Sequence, residues 1–234
     1  LSHLVELRSR LLVIAIAVVI VFIALLPFSG DIFTLVSEPL RSVLPGNAMI
    51  ATAVASPLLT PFKLTFFTAL FIVMPIVLFQ IWNFIAPGLY KKEKRFAIPL
   101  LMTSILLFYC GIAFAYFVVF PLMFGFFVSI APAGVEMQTD ITQFLDFITT
   151  IVFAFGIAFE VPVATVLIVW AGLTNTEKLA KARPYVFLMA FIAGMFLTPP
   201  DVISQTLLAV PVYLLFELGI IMSKVFVNKK SDDE

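Results

Sequence analysis

The sequence predicts an all-α polytopic membrane protein, and three observations carry that expectation. Of its 234 residues, 62% are hydrophobic and only 12% charged, against about 45–50% and roughly a quarter in ordinary soluble domains. The apolar residues gather into runs long enough to cross the roughly 30 Å hydrocarbon core as helix, which takes about 20 residues, and mean hydropathy is +1.16. Between the runs lie short polar segments that are basic on one side of the membrane and acidic on the other. The fourteen Lys and Arg balance fourteen Asp and Glu, which argues against nucleic-acid binding driven by overall positive charge. A lone cysteine, Cys110, and a lone histidine, His3, exclude an intrachain disulfide, a cysteine metal cluster and a two-histidine site. No cofactor and no metal are expected.

Six spans are expected in one integral membrane domain, residues 1–234, at approximately 11–28, 62–86, 96–121, 144–171, 184–197 and 202–222. The first is uncharged, too long for a signal-peptide core and followed by no small-residue cleavage site, so it is expected to be retained. Asp31 to Pro61, broken by several prolines, reads as a structured extramembrane loop. Pro75 should kink the second span because it has no N–H to donate. The third apolar run persists to Ile130, and Pro121 marks where it leaves the core unless the helix tilts. After the fourth span, Thr174 and Glu177 have the spacing of a capping box. Fourteen residues of the fifth span rise only about 21 Å, so this helix barely crosses, or the bilayer thins around it.

With six crossings, both termini share a side with Arg8, Arg10, Lys91, Lys92, Lys94, Arg95, Lys178, Lys181, Arg183, Lys224, Lys229 and Lys230, leaving only Arg41 and Lys63 opposite. Short basic loops stay cytoplasmic, which places both termini in the cytoplasm. Asp31, Glu38, Glu136, Asp140, Asp146 and Asp201 fall on the other side. Glu160, in the middle of the fourth span, stands out, because an intramembrane carboxylate usually faces a bundle interior, a wet cavity or a ligand. The plainer alternative is a protonated acid bonded to a neighbouring helix or to carbonyls freed by Pro162. Glu217 is close enough to Lys224 to reach the interface. Glu6, before the first span, and Glu93, inside a basic loop, are carboxylates that could pair with a guanidinium-bearing ligand. No Gly-rich phosphate loop, HExxH or histidine dyad occurs, so catalysis has no strong signal.

Six strings, HLVELRSRLL (3–12), IATAVASPLLTPFKLTFF (50–67), FIAPGLYKKEKR (84–95), LLFYCGIAFAYFVVFPL (106–122), AFGIAFEVPVA (154–164) and GMFLTPPDVISQTLLAVP (194–211), occur in order and in matching topological places. On them the chain resembles the TatC family, the polytopic core subunits of twin-arginine protein translocases. The resemblance implies a cupped six-helix arrangement in the bacterial inner membrane, with a structured first periplasmic loop. It implies binding of twin-arginine signal peptides of folded cargo by Glu6, Arg8 and Glu93, and export driven by the proton gradient. Glu160 matches the family's intramembrane glutamate on the concave side, and Pro39 and Asp201 match residues implicated in function. Met195, Thr198 and Gln205 match a docking region for the single-span partners TatA and TatB; other TatC copies and membrane lipid are further partners. The competing class is a proton-coupled small-solute transporter with Glu160 as ion site, which the lack of an inverted repeat disfavours.

Overall fold

The computed structural model describes residues 2–42, 49–85, 94–130, 132, 138–199 and 201–232. All regular structure among them is helical, as the composition predicts. Ten α-helices follow in order: α1 Ser2–Leu25, α2 Ser29–Arg41, α3 Ser56–Ile85, α4 Lys94–Phe114, α5 Phe120–Ser129, α6 Ile141–Ala158, α7 Val161–Trp170, α8 Thr176–Lys181, α9 Arg183–Leu197 and α10 Val202–Asp232. Five runs, Val5–Arg41, Ser56–Phe84, Ile98–Ser129, Ile141–Trp170 and Val202–Val225, are long and apolar enough to cross a membrane; Arg183–Leu197 is apolar but shorter. That is the short fifth apolar helix anticipated from sequence.

Three junctions differ from the expectation, each for a local reason. The first helix does not stop at Phe28. Pro27 sits in the opening turn of a 3-10 segment, Leu26–Phe28, where a missing N–H costs little, and the chain continues as α2 through part of the expected loop. The third run does not end at Pro121. A π-helical turn, Ala115–Val119, joins α4 to α5, and this widened turn accommodates the proline that follows it. The cap before α8 is Asn175 rather than Thr174. Its side-chain oxygen accepts from the Lys178 N–H at 2.8 Å, so the Thr174–Glu177 box is not formed.

The chain divides into two compact units, Leu1–Ile105 with Phe120–Thr149, and Leu106–Val119 with Thr150–Glu234. In the first, α1 and α2 pack on α3, and α2 also meets α5. Leu40, Leu64, Ala69, Val73, Phe120, Met123 and Leu145 form its buried core. Phe124 meets Phe144 and Phe147, each at 5.9 Å between ring centroids. In the second unit α10 packs on α7, α8 and α9, and glycines permit close helix approaches, to backbone at Gly111 and to side chains at Gly156 and Gly219. A Cβ at Gly111 would lie 2.5 Å from the Phe155 carbonyl oxygen, one at Gly156 2.7 Å from the Phe108 ring, and one at Gly219 2.9 Å from Thr165. Small residues that let helices approach are the usual packing device in lipid, where burial of apolar surface supplies no drive. Gly172, at φ +72°, closes α7 while Leu173 N–H donates back to the Ile168 carbonyl at 3.1 Å, the left-handed helix stop that glycine favours.

Candidate functional site

At one end of the first unit, the start of α1 meets the end of α3. Glu6 and Arg10 are one helical turn apart, with the acid N-terminal, the favourable order for an i,i+4 pair. Arg10 Nη2 and Nε donate to Glu6 Oε1 at 2.5 and 3.3 Å. The same guanidinium reaches across to α3, where Nη1 donates to Gln80 Oε1 and the Gln80 carbonyl at 3.1 and 3.4 Å, and Nη2 donates to the Asn83 carbonyl at 3.2 Å. Arg8, two residues from Glu6, is exposed. Glu93 lies outside the described residues.

The opposite end of this unit is tied by Asp140. Its Oδ1 accepts the N–H groups of Thr142 and Gln143, at 2.8 and 3.2 Å, as the cap of α6. Its Oδ2 accepts from the Thr52 hydroxyl at 2.7 Å and the Thr52 N–H at 2.9 Å. Ile50 N–H donates to the Thr139 carbonyl at 3.1 Å, and Ile141 N–H to the Ile50 carbonyl at 2.9 Å, so the segment before α3 is clipped to the segment before α6. Nearby, Ser56 and Thr142 hydroxyls pair at 2.9 Å, and Lys63 forms an ion pair with Asp146. The Thr52 hydroxyl, then the Thr52 amide, hold the Asp140 carboxyl down to about 2. A carboxyl lowered from about 3.9 in the unfolded chain stabilises the fold above roughly pH 4, and that contribution fades as pH falls from about 4 to about 2. Asp140→Ala should therefore melt at lower temperature near neutral pH and lose less than the parent between pH 5 and 3. Parallel melting curves of the two proteins over that range would contradict it.

In the second unit, Glu160 occupies a tightened turn between α6 and α7. Pro162, in the first turn of α7, cannot donate to a carbonyl one turn back; the Glu160 N–H itself takes the Ile157 carbonyl, three residues back, at 3.0 Å. Glu160 is half-buried there, and the helix resumes with Ala164 N–H on the Glu160 carbonyl at 2.9 Å. Glu217 does not depend on the interface. Arg183 clamps it bidentately, Nε to Oε1 at 2.6 Å and Nη2 to Oε2 at 2.8 Å, a geometry specific to guanidinium and carboxylate.

The turn between α9 and α10 gathers four predicted residues. Thr198 is buried and its hydroxyl donates to the Gly194 carbonyl at 2.9 Å. Met195 is exposed, and Gln205 is half-buried opposite Gly194, whose added Cβ would lie 3.5 Å from the Gln205 Cα. Asp201 caps α10 by accepting the Ser204 N–H on Oδ1 at 2.7 Å. Pro39 lies inside α2, half-buried, beside buried Leu40.

Sequence reading missed the Arg10 clamp and the Asp140 clip. Signals for the first were present, because Glu6 and Arg10 have i,i+4 spacing, and Gln80 and Asn83 interrupt an apolar helix at i,i+3. The Thr52–Asp140 contact joins residues 88 apart in sequence and had no local signal.

Fold and sites together define a multi-pass membrane protein whose apolar helices carry ordered polar clusters near their ends and a carboxylate, Glu160, at a break within one span. The family model for "Sec-independent protein translocase protein (TatC)" matches residues 2–211. A Sec-independent protein translocase protein TatC from Azotobacter chroococcum is 62% identical over 94% of this chain and 86% of its own. The one from Escherichia coli K12 is 56% identical over 100% of this chain and 91% of its own. A crystal structure of the twin arginine translocase receptor TatC superposes with a TM-score of 0.84 at 36% identity, covering 95% of this chain and 98% of that one. The chain belongs to the TatC family and is a subunit of Sec-independent protein translocation.

Proposed function

We propose that this subunit is the receptor for twin-arginine signal peptides, and that with TatA- and TatB-type single-span partners it exports folded proteins across the cytoplasmic membrane. The observation that carries the reading is the Glu6 carboxylate, held in place by Arg10 at the basic end of α1 and α3. A carboxylate is the natural partner of a guanidinium, and a fixed one binds at lower entropic cost than a free one. Glu93 is assigned to the same surface through the family resemblance, with Arg8 beside Glu6. Both termini are assigned to the cytoplasm by the distribution of Lys and Arg.

Met195 and Gln205, with Thr198 beneath them, are assigned to partner docking. The short α9 favours that reading, because its fifteen residues rise only about 22 Å, less than the roughly 30 Å hydrocarbon core, and a thinned bilayer there lowers the barrier to a bulky cargo. Glu160 is assigned as an intramembrane polar site, and the proton gradient as the energy source. Photocrosslinkers placed at Ser9, exposed one helical turn from Glu6, at Glu160 and at Met195 test the assignment. Signal peptide should be captured from position 9 and single-span subunits from position 195. Failure to cofractionate with twin-arginine cargo, alongside proton-coupled uptake of a small solute, would replace it with the transporter reading.

A further inference from the structure

We infer that Arg10 is a positioning residue for signal-peptide recognition: anchored on the last turns of α3, it holds the Glu6 carboxylate with one oxygen engaged and the other presented to an incoming guanidinium. This rests on the receptor reading of Glu6. An arginine has five N–H donors in a rigid fork and no acceptor. Here all five are used: Nε and one Nη2 hydrogen on Glu6 Oε1, the other Nη2 hydrogen on the Asn83 carbonyl, and the Nη1 pair on the carbonyl and side chain of Gln80. Both bonds to Glu6 fall on Oε1, and Oε2 meets no donor among the described residues.

Two features make this an anchor rather than a surface ion pair. Backbone carbonyls at the C-terminal end of a helix carry the negative end of its dipole, so Arg10 is balanced by α3 as well as by Glu6. It is also the more protected partner, its side chain 19% exposed against 38% for Glu6. Loss of Arg10 has two opposed effects on a bound peptide. It removes a like charge, whose repulsion is already shared with the α3 carbonyls and further weakened by solvent screening at a partly exposed site. It also frees a flexible glutamate whose ordering must then come from the binding energy itself, and this second effect dominates. Lysine keeps the charge but is a compact point donor that cannot span the same acceptors.

A double-mutant cycle separates positioning from general structural support, with a synthetic twin-arginine signal peptide as probe and the purified full-length translocase core in detergent as receptor. Arg10→Gln should weaken binding about tenfold in the parent and less than about twofold in a Glu6→Gln background, since a residue acting through Glu6 has nothing left to position. Arg10→Lys should weaken binding about threefold, again only when Glu6 is present, and it carries the test if Arg10→Gln accumulates poorly. Unchanged or tighter binding in the Arg10 variants, or equal losses in both backgrounds, overturns the positioning role while leaving Glu6 as a receptor residue. Full-strength binding by Glu6→Gln instead overturns the receptor reading on which it rests.

Discussion

Glu6→Ala should weaken binding of a twin-arginine signal peptide at least tenfold while leaving the protein inserted in the membrane at normal abundance. A hydrogen bond to a charged group is worth about 1.5–3 kcal/mol net, and each 1.4 kcal/mol is about tenfold in affinity. Glu6 is partly exposed, so the lower end of that range applies to it. Insertion survives because Glu6 lies ahead of the apolar run of α1, and the six basic residues of the first two basic segments, Arg8, Arg10, Lys91, Lys92, Lys94 and Arg95, are all retained to direct topology. Arg10 retains its three contacts on α3 in this variant, so the end of α1 stays docked. Glu93→Ala should give a loss of the same order, since the resemblance assigns it to the other half of the guanidinium contact. Crosslinking of the peptide at undiminished yield in both variants would rule out this surface as the receptor.

Gly111→Ala should lower thermal stability of the purified protein by about 1–3 kcal/mol, the usual cost of forcing extra volume into a packed contact. The new Cβ would stand 2.5 Å from the Phe155 carbonyl oxygen and 3.1 Å from the Phe159 Cβ. Backbone cannot rotate away as a side chain can, so α4 and α6 must separate. Phe114, whose ring meets those of Phe155 and Phe159 at 5.4 and 5.6 Å, must shift with them. The displaced turn is the one that carries Glu160, so export should fall in this variant although peptide binding at Glu6 is retained. Gly125→Ala is the internal comparison: nothing lies within 4 Å of its Cβ position, and alanine is the better helix former by about 0.8–1.0 kcal/mol, so that variant should be at least as stable as the parent. Equal stability of Gly111→Ala and Gly125→Ala would show that the close approach is relieved at no cost.

Legibility in the sequence followed the range of each interaction. The short α9 was readable from a run of apolar residues between Pro184 and Leu197, and the freed carbonyls near Glu160 from Pro162, because both depend on neighbours in the chain; the break of the fourth span into α6 and α7 was not read. Where a proline falls in a first helical turn, as Pro27 does, the same local rule points the wrong way, since the missing N–H would have been unsatisfied there in any case. The junction at Pro121 was hidden for a related reason, as a π turn is a local geometry with no residue signature of its own.

The apolar spans, the charge asymmetry of their connections and the family-specific strings were determined by sequence alone, because the bilayer imposes length and polarity on each segment independently of the others. Tertiary structure decided what each charged group meets. Glu217 could be read from sequence only as near the interface, and became an ion pair once α10 lay beside the start of α9 and brought Arg183 within 2.6 Å. Asp140, read as an acid opposite the basic side, proved to cap α6 and clip Thr52, and Arg10, read as ordinary topology charge, proved to hold Glu6 against α3. A guanidinium or carboxylate has no preferred partner in sequence. Its partner is the donor or acceptor that helix packing places within about 3 Å.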